Sequence, residues 1–170
     1  MRGVREASRG LVNLAPTERL HHIGIVVPSI QSTVRGFADR LEMEWDGVIF
    51  HDPVQTVQVT FLRHRLISAP MIELVEPASP DSRVNRFLMR GGGLHHLCYE
   101  VESLATRLES ALSKGSVMLS EPKPAVAFGY RQIAWICTPE KILIEYLQHS
   151  PPCTGDSEPG LSQQDEERLF

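Results

Sequence analysis

The tetrapeptide Leu20-His21-His22-Ile23 returns 74 residues later as Leu94-His95-His96-Leu97, and Ile72-Glu73-Leu74 returns 72 residues later as Ile144-Glu145-Tyr146. Two motifs that recur in the same order at nearly the same separation mark an internal repeat. A repeat constrains a fold more than any single segment does, because both copies must adopt one supersecondary unit. The chain divides into halves at 20–77 and 94–148, each opening on His-His and closing on Ile-Glu.

Local patterns predict the same element order in both halves. Leu20 to Val27 is apolar and β-branched, a strand that Pro28 ends. Ser29 is an N-cap for a helix carrying Val34, Phe37, Ala38 and Leu41 at helical spacing. Strands are predicted at Met43–Phe50, Gln55–Arg63 and Met71–Glu76, with a turn at Asp52-Pro53. In the second half a strand over Leu94–Val101 precedes a helix capped by Ser103, with Leu104, Leu108, Ala111 and Leu112 on one face. Gly115 stops that helix. Short strands follow near Ser116–Ser120, Gln132–Cys137 and Lys141–Leu147. Each half therefore reads β-α-β-β-β. Between them, residues 80–91 are predicted as a linker helix with Val84, Phe87 and Leu88 on its apolar face, closed by the flexible joint Gly91-Gly92-Gly93.

Charge excludes several function classes. The formal net charge is -4, and the segment 151–170 alone carries five acids against Arg168, so the rest of the chain balances to zero. A neutral body without a basic stripe argues against nucleic-acid binding. No apolar run approaches a membrane span, which needs roughly 18 residues or more. Three cysteines without a CxxC pair make a zinc ribbon or disulfide scaffold an unsuitable reading. Residues 1–19 read as a flexible Arg- and Ser-bearing leader and 149–170 as a flexible acidic tail. With no apolar signal-peptide core, the expected location is cytoplasmic.

The recurring residues define a candidate site. Strand alternation puts His22, Gly24 and Val26 on one face, and His96 and Cys98 on the matching face of the second copy. Glu73 and Glu145 each point away from their apolar neighbours. Converging carboxylates in an apolar strand repel one another, and a divalent cation removes the penalty. Two imidazoles and two carboxylates suit Mn, Fe, Co, Ni or Zn. Four ligands of a six-coordinate ion leave two positions for water or a bidentate substrate. The expected ligands are His22, Glu73, His96 and Glu145, with Glu145 or Glu73 able to move a proton. By parity, His21 and His95 face the other way and have a structural or supporting role. The strand Gln55–Arg63 offers Gln55 and Gln58 but no second carboxylate base, while Lys123 or Arg131 could meet an anionic group of a substrate.

These stretches resemble the vicinal oxygen chelate superfamily, the glyoxalase/bleomycin-resistance fold, and within it the methylmalonyl-CoA epimerases. The resemblance covers about 20–148 and rests on His22–Val27, Ile72–Pro77, Gly92–Leu97, Glu121-Pro122-Lys123 and Ile142–Glu145. It implies an α+β fold in which two paired modules form a curved mixed sheet around a metal-binding cavity. It also implies a homodimer and a metal-dependent isomerase or epimerase acting on a small carbonyl or acyl-CoA thioester through a metal-stabilised enolate. Epimerases often carry Gln or Glu at the position of Glu73. They also carry a His-Pro-Lys turn where this chain reads Cys137-Thr138-Pro139-Glu140-Lys141. An extradiol-type dioxygenase or other metal-dependent lyase, and a non-catalytic antibiotic-binding protein, are the alternatives within the same fold.

Overall fold

The computed structural model describes residues 18–66 and 68–150. Most of the leader and of the acidic tail therefore lies outside the described residues. The first half contains β1 (Arg19–Val26), α1 (Ile30–Leu41), β2 (Glu44–Trp45), β3 (Phe50–Asp52), β4 (Val57–Arg63) and β5 (Met71–Pro77). A short helix α2 (Asn85–Leu88) leads to β6 (Gly93–Val101), α3 (Leu104–Ser113), β7 (Val117–Ala125), a 3-10 turn (Val126–Phe128), β8 (Arg131–Cys137) and β9 (Leu143–Gln148). One mixed sheet runs β2-β4-β5-β1-β6-β9-β8-β7, with β3 also pairing β4. The sheet is curved and unclosed, and β3 meets the 3-10 turn across its concave side.

The repeat is visible in the pairing. β5 runs parallel to β1 and antiparallel to β4, and β9 runs parallel to β6 and antiparallel to β8. Antiparallel pairing of β1 with β6 joins the halves about a local pseudo-twofold. Each helix covers the convex face of its own half. Val27, Ile30, Val34, Leu62 and Leu74 form one buried cluster, and Val101, Leu104, Leu108, Ala134, Ile136 and Tyr146 form the other. Each fully buried aliphatic side chain contributes roughly 1.5–3 kcal/mol.

The helix starts repeat as well. Ser29 Oγ accepts from Ser32 N at 3.4 Å, and Ser103 Oγ accepts from Thr106 N at 3.3 Å. The first helical amide is taken up from the end of the last strand in each half. Ile30 N donates to Glu76 Oε2 at 2.7 Å, and Leu104 N donates to Gln148 Oε1 at 2.9 Å. These bonds satisfy amides that have no partner within a helix.

Four expectations change. Met43–Phe50 is two short strands, because Gly47 takes φ +83° and Asp46 Oδ1 accepts from Val48 N at 3.0 Å, which turns the chain. The linker helix is confined to Asn85–Leu88. Upstream, Asn85 Nδ2 donates to the carbonyls of Ser79 and Pro80, and Ser82 N bonds Ser79 O, which holds the chain in successive turns instead. Gly91, Gly92 and Gly93 all take positive φ, a conformation cheap only for glycine, so the joint is a defined turn. Finally, β7 runs on through Pro122 and Pro124. Both prolines are tolerated because β7 is an edge strand with register irregularities.

Candidate metal centre

The site is built from two rows of residues that cross the middle of the sheet. In one, Glu73 on β5 lies beside Gly24 on β1, which faces His96 on β6. In the other, Glu145 on β9 lies beside Cys98 on β6, which faces His22 on β1. Each imidazole reaches along its row toward the carboxylate. His96 Nε2 is 3.3 Å from Glu73 Oε2, and His22 Nε2 is 3.3 Å from Glu145 Oε2. The cross distances are 3.5 Å from His22 to Glu73 and 3.9 Å from His96 to Glu145, and the two Nε2 atoms lie 3.1 Å apart. All four expected ligands are brought together, and all four are buried.

Gly24 is required by close approach. A Cβ at that position would lie 1.9 Å from Cε1 of His96. Only the absence of a side chain lets the imidazole cross β1 to reach Glu73.

His21 and His95 do not face away. Pairing skips His21 on β1 and His95 on β6, a β-bulge on each strand at the residue before the ligand position. A bulge re-aims the extra side chain. His21 Nδ1 lies 2.9 Å from His22 Nδ1, and His95 Nδ1 lies 3.0 Å from His96 Nδ1. A metal-ligating imidazole bonded through its other nitrogen has its tautomer and ring plane fixed. Here His22 and His96 offer Nε2 inward when Nδ1–H donates to a neutral neighbour. Burial, then the charge of His22, lowers His21 to about 4. Burial, then His96, lowers His95 to about 4. Both neighbours thus remain neutral acceptors near pH 7.

The electrostatics of the cluster favour a cation. Burial alone would discharge His22, but Glu73 and then Glu145 outweigh it and raise the imidazole to about 9. Burial opposes the charge of Glu73 as well, yet His22 and His96 hold its carboxyl well below the usual range. Glu145 Oε2 is buried without a hydrogen-bond partner, although a buried carboxylate oxygen is costly to leave unpaired. His22, Glu73 and His96 place three donor atoms within 4.8 Å of one another. This orphaned oxygen and the compact N₂O₂ donor set fit a divalent first-row cation. Because His22 would have to shed its proton to act as a ligand, uptake of a cation would strengthen as pH rises.

Above the cluster lies a cavity of about 50 Å³. Phe128 stacks on His22 at 5.6 Å, and Trp135 meets His96 edge-on at 4.7 Å, closing the sides. Asp52 also lines the cavity and is buried, so a second carboxylate does stand near the centre. Its oxygens accept from Val54 N, Gln55 N and Gln55 Nε2, which fixes the Gln55 amide in the cavity wall. The Asp52-Pro53 turn signal accounted for this residue in the sequence and masked its second role. Arg131 is withdrawn from any role at the centre, since it bonds Glu100 Oε1 at 2.6 Å.

A curved sheet of paired modules, carrying its polar residues at the line between them, defines a class of small-molecule enzymes and binding proteins. Residues 21–135 match the Glyoxalase/Bleomycin resistance protein/Dioxygenase superfamily, and the chain belongs to it. An ethylmalonyl-CoA/methylmalonyl-CoA epimerase of Cereibacter sphaeroides is 29% identical over 110 residues, spanning 64% of this chain and 79% of that protein. An uncharacterised Bacillus subtilis protein is 33% identical over 135 residues, 76% of this chain and 91% of its own length. Among solved structures, the methylmalonyl-CoA epimerase of Mycobacterium tuberculosis superposes with a TM-score of 0.67 at 26% identity, covering 78% of this chain and 88% of that one. The chain is thus an epimerase-like member of the superfamily. No helix among the described residues is long and apolar enough to cross a membrane.

Proposed function

We propose that the chain is a metal-dependent epimerase of an acyl-CoA thioester or a related small carbonyl compound. The observation that carries this reading is Glu145 Oε2, buried and unpartnered beside two imidazoles and a second carboxylate. The epimerases among the relatives supply the substrate class. His22, His96, Glu73 and Glu145 would hold the cation, which supplies Lewis-acid stabilisation to an oxygen that gains charge as an α-proton leaves.

The rest of the chemistry falls to the chain itself. Glu145 takes the α-proton at Oε2, an oxygen that forms no hydrogen bond although His22 Nε2 lies 3.3 Å away, and inversion follows when the enolate turns its other face to the protonated Glu145 before the proton is returned. Glu73 stays ionised between His22 and His96 and balances the charge of the site. His21 and His95 hold the two imidazoles in register, and Phe128 and Trp135 exclude water from the sides. A homodimer, expected from the resemblance, is part of the same proposal.

Elemental analysis of the purified chain and deuterium wash-in to methylmalonyl-CoA test the reading together. One divalent ion per chain and solvent deuterium at the α-carbon are expected. Metal without exchange rejects epimerisation and leaves the centre standing. Oxygen uptake with a catechol in the presence of Fe(II) transfers the site to dioxygenase chemistry. Absence of bound metal, together with no gain of exchange on adding Co, Mn, Ni, Zn or Fe, transfers the fold to a non-catalytic binding role.

A further inference from the structure

A second cavity of about 270 Å³ adjoins the first, sharing Gln55, His95 and Trp135 with it. Its lining is part apolar, from Leu119, Trp135 and Leu143, and carries the two cations Arg83 and Lys123. The two cations come from distant parts of the chain. Arg83 lies in the turns between β5 and α2, and Lys123 lies on β7 opposite Ile133. Neither forms an ion pair among the described residues. Asp52 and Glu145 act on Lys123 from a distance, but the oxygens of Asp52 are taken by Val54 and Gln55, and Glu145 faces the two imidazoles. Burial, and then the charge of Arg83, pushes the Lys123 ammonium below its ordinary range. Two like charges lining one part-apolar cavity repel each other, and an oxyanion placed between them reverses the sign of the interaction.

We infer that Arg83 and Lys123 form an anion subsite that grips a carboxylate or phosphate of a substrate whose reacting carbon lies at the neighbouring His/Glu cluster. The shared wall supports this, because a molecule seated in the wider cavity reaches the narrow one past Gln55 and His95. Arg83 offers a planar fork suited to bidentate contact, and Lys123 a compact point charge. The inference rests on the epimerase reading for its choice of thioester, but not for the subsite itself.

Calorimetric binding to the purified full chain distinguishes the sources of the anion. The ligands are methylmalonyl-CoA, propionyl-CoA and methylmalonyl-pantetheine, and the variants are Arg83→Met, Lys123→Met and the double. Arg86→Met, a neighbour outside this cavity, controls for overall charge. If the subsite holds the carboxylate, the double variant weakens both methylmalonyl esters roughly ten- to a hundredfold and spares propionyl-CoA. If it holds a phosphate, both CoA esters weaken and the pantetheine ester is spared. Unchanged affinity for all three, or an equal loss in Arg86→Met, overturns the subsite. If the unaltered chain binds no thioester, the epimerase reading fails, and malonate and pyrophosphate then decide. Binding of either that is lost in the double variant keeps the subsite, and any other result overturns it.

Discussion

The two halves of the molecule agree in pairing, helix caps and the residues that converge at the centre, and differ in much of what surrounds it. Both place a histidine on the first strand and a glutamate on the last, and both cap the helix from the end of that last strand. Yet Gly24 in one crossing row stands opposite Cys98 in the other. The first half keeps an apolar cluster of Val26, Val57, Val59 and Val75 on its concave side. The second half has Glu100 at the position of Val26, tied to Arg19 at 2.9 Å and to Arg131 at 2.6 Å. The second strand of the first half's unit is broken at Gly47, while its counterpart β7 runs through two prolines and presents Lys123. A duplicated unit fixes the donors of a shared centre by symmetry. Recognition of an unsymmetrical molecule has to come from the parts that have diverged.

The largest expected effect breaks the symmetry of the two rows. Gly24→Ala puts a methyl group into the His96 ring, so the ring must leave its place. Metal affinity should fall by about a hundredfold or more, measured by competition with a chelating dye. The reciprocal change, Cys98→Gly, should leave metal affinity within about threefold of the unaltered chain. Its cost is stability, about 1–2 kcal/mol for the lost burial and the added backbone freedom. Cys98 is a poor thiolate in any case, since burial and then Glu145 push its thiol well up. Equal loss of metal in both variants would show that the rows depend on packing alone.

Next in size is a test of whether the two carboxylates do the same work. Glu145→Gln should slow deuterium wash-in by about a hundredfold or more, the usual scale for losing a general base. Glu73→Gln should retain exchange within roughly tenfold, because an amide oxygen still serves as a ligand and the proton-moving group is untouched. The reverse ranking would assign the proton to Glu73, whose Oε2 lies near both imidazoles.

Much of this cluster was legible in the sequence, for a definite reason. Duplication writes each candidate ligand twice, so His22 and His96, and Glu73 and Glu145, announce one another across 74 and 72 residues. Ser29 and Ser103 mark both helix starts in the same way. What was not legible breaks the period or depends on curvature. A bulge leaves no trace in composition, so alternation assigned His21 and His95 to the wrong face. Asp52 looked complete as a turn residue. Arg83 sat in a linker, and that it lines one cavity with Lys123 on β7 is a long-range placement no local pattern encodes.

The Glu100 network sharpens the comparison at an intermediate scale. Glu100 is buried, and burial alone would raise its carboxyl. Arg131 and Arg19 outweigh that and hold it below its ordinary value of 4.5. A lowered folded-state value stabilises the fold above the unfolded value, and the gain disappears as pH falls. Glu100→Gln should therefore cost about 1–3 kcal/mol near neutral pH in chemical denaturation. The gap from the unaltered chain should stay level down to about pH 5.5 and close steadily below 4.5. Constancy down to pH 3 would mean that the guanidinium groups contribute packing and not charge. Val26→Ala, the matching position in the other half, should show no such pH dependence, since Val26 packs among apolar side chains.

The smallest effect concerns the two helix starts, where the same bond is made by a carboxylate in one half and an amide in the other. Glu76 brings a negative charge to the first amide of α1, and neither helix has an acidic residue in its first turn. Charge at that end of a helix is worth about 0.3–1 kcal/mol, so Glu76→Gln should lose that much and no more, because an amide oxygen can still accept from Ile30 N. The opposite change is not its mirror image. Gln148 uses its amide nitrogen as well, donating to the Glu102 carbonyl. Gln148→Glu would gain the dipole interaction and lose that donor, setting two carbonyl-type oxygens against each other. The net change in urea midpoint should be zero or slightly destabilising. A gain in stability from Gln148→Glu equal to the loss from Glu76→Gln would show that the two caps differ only in charge, and that the bond to Glu102 adds nothing to the second half.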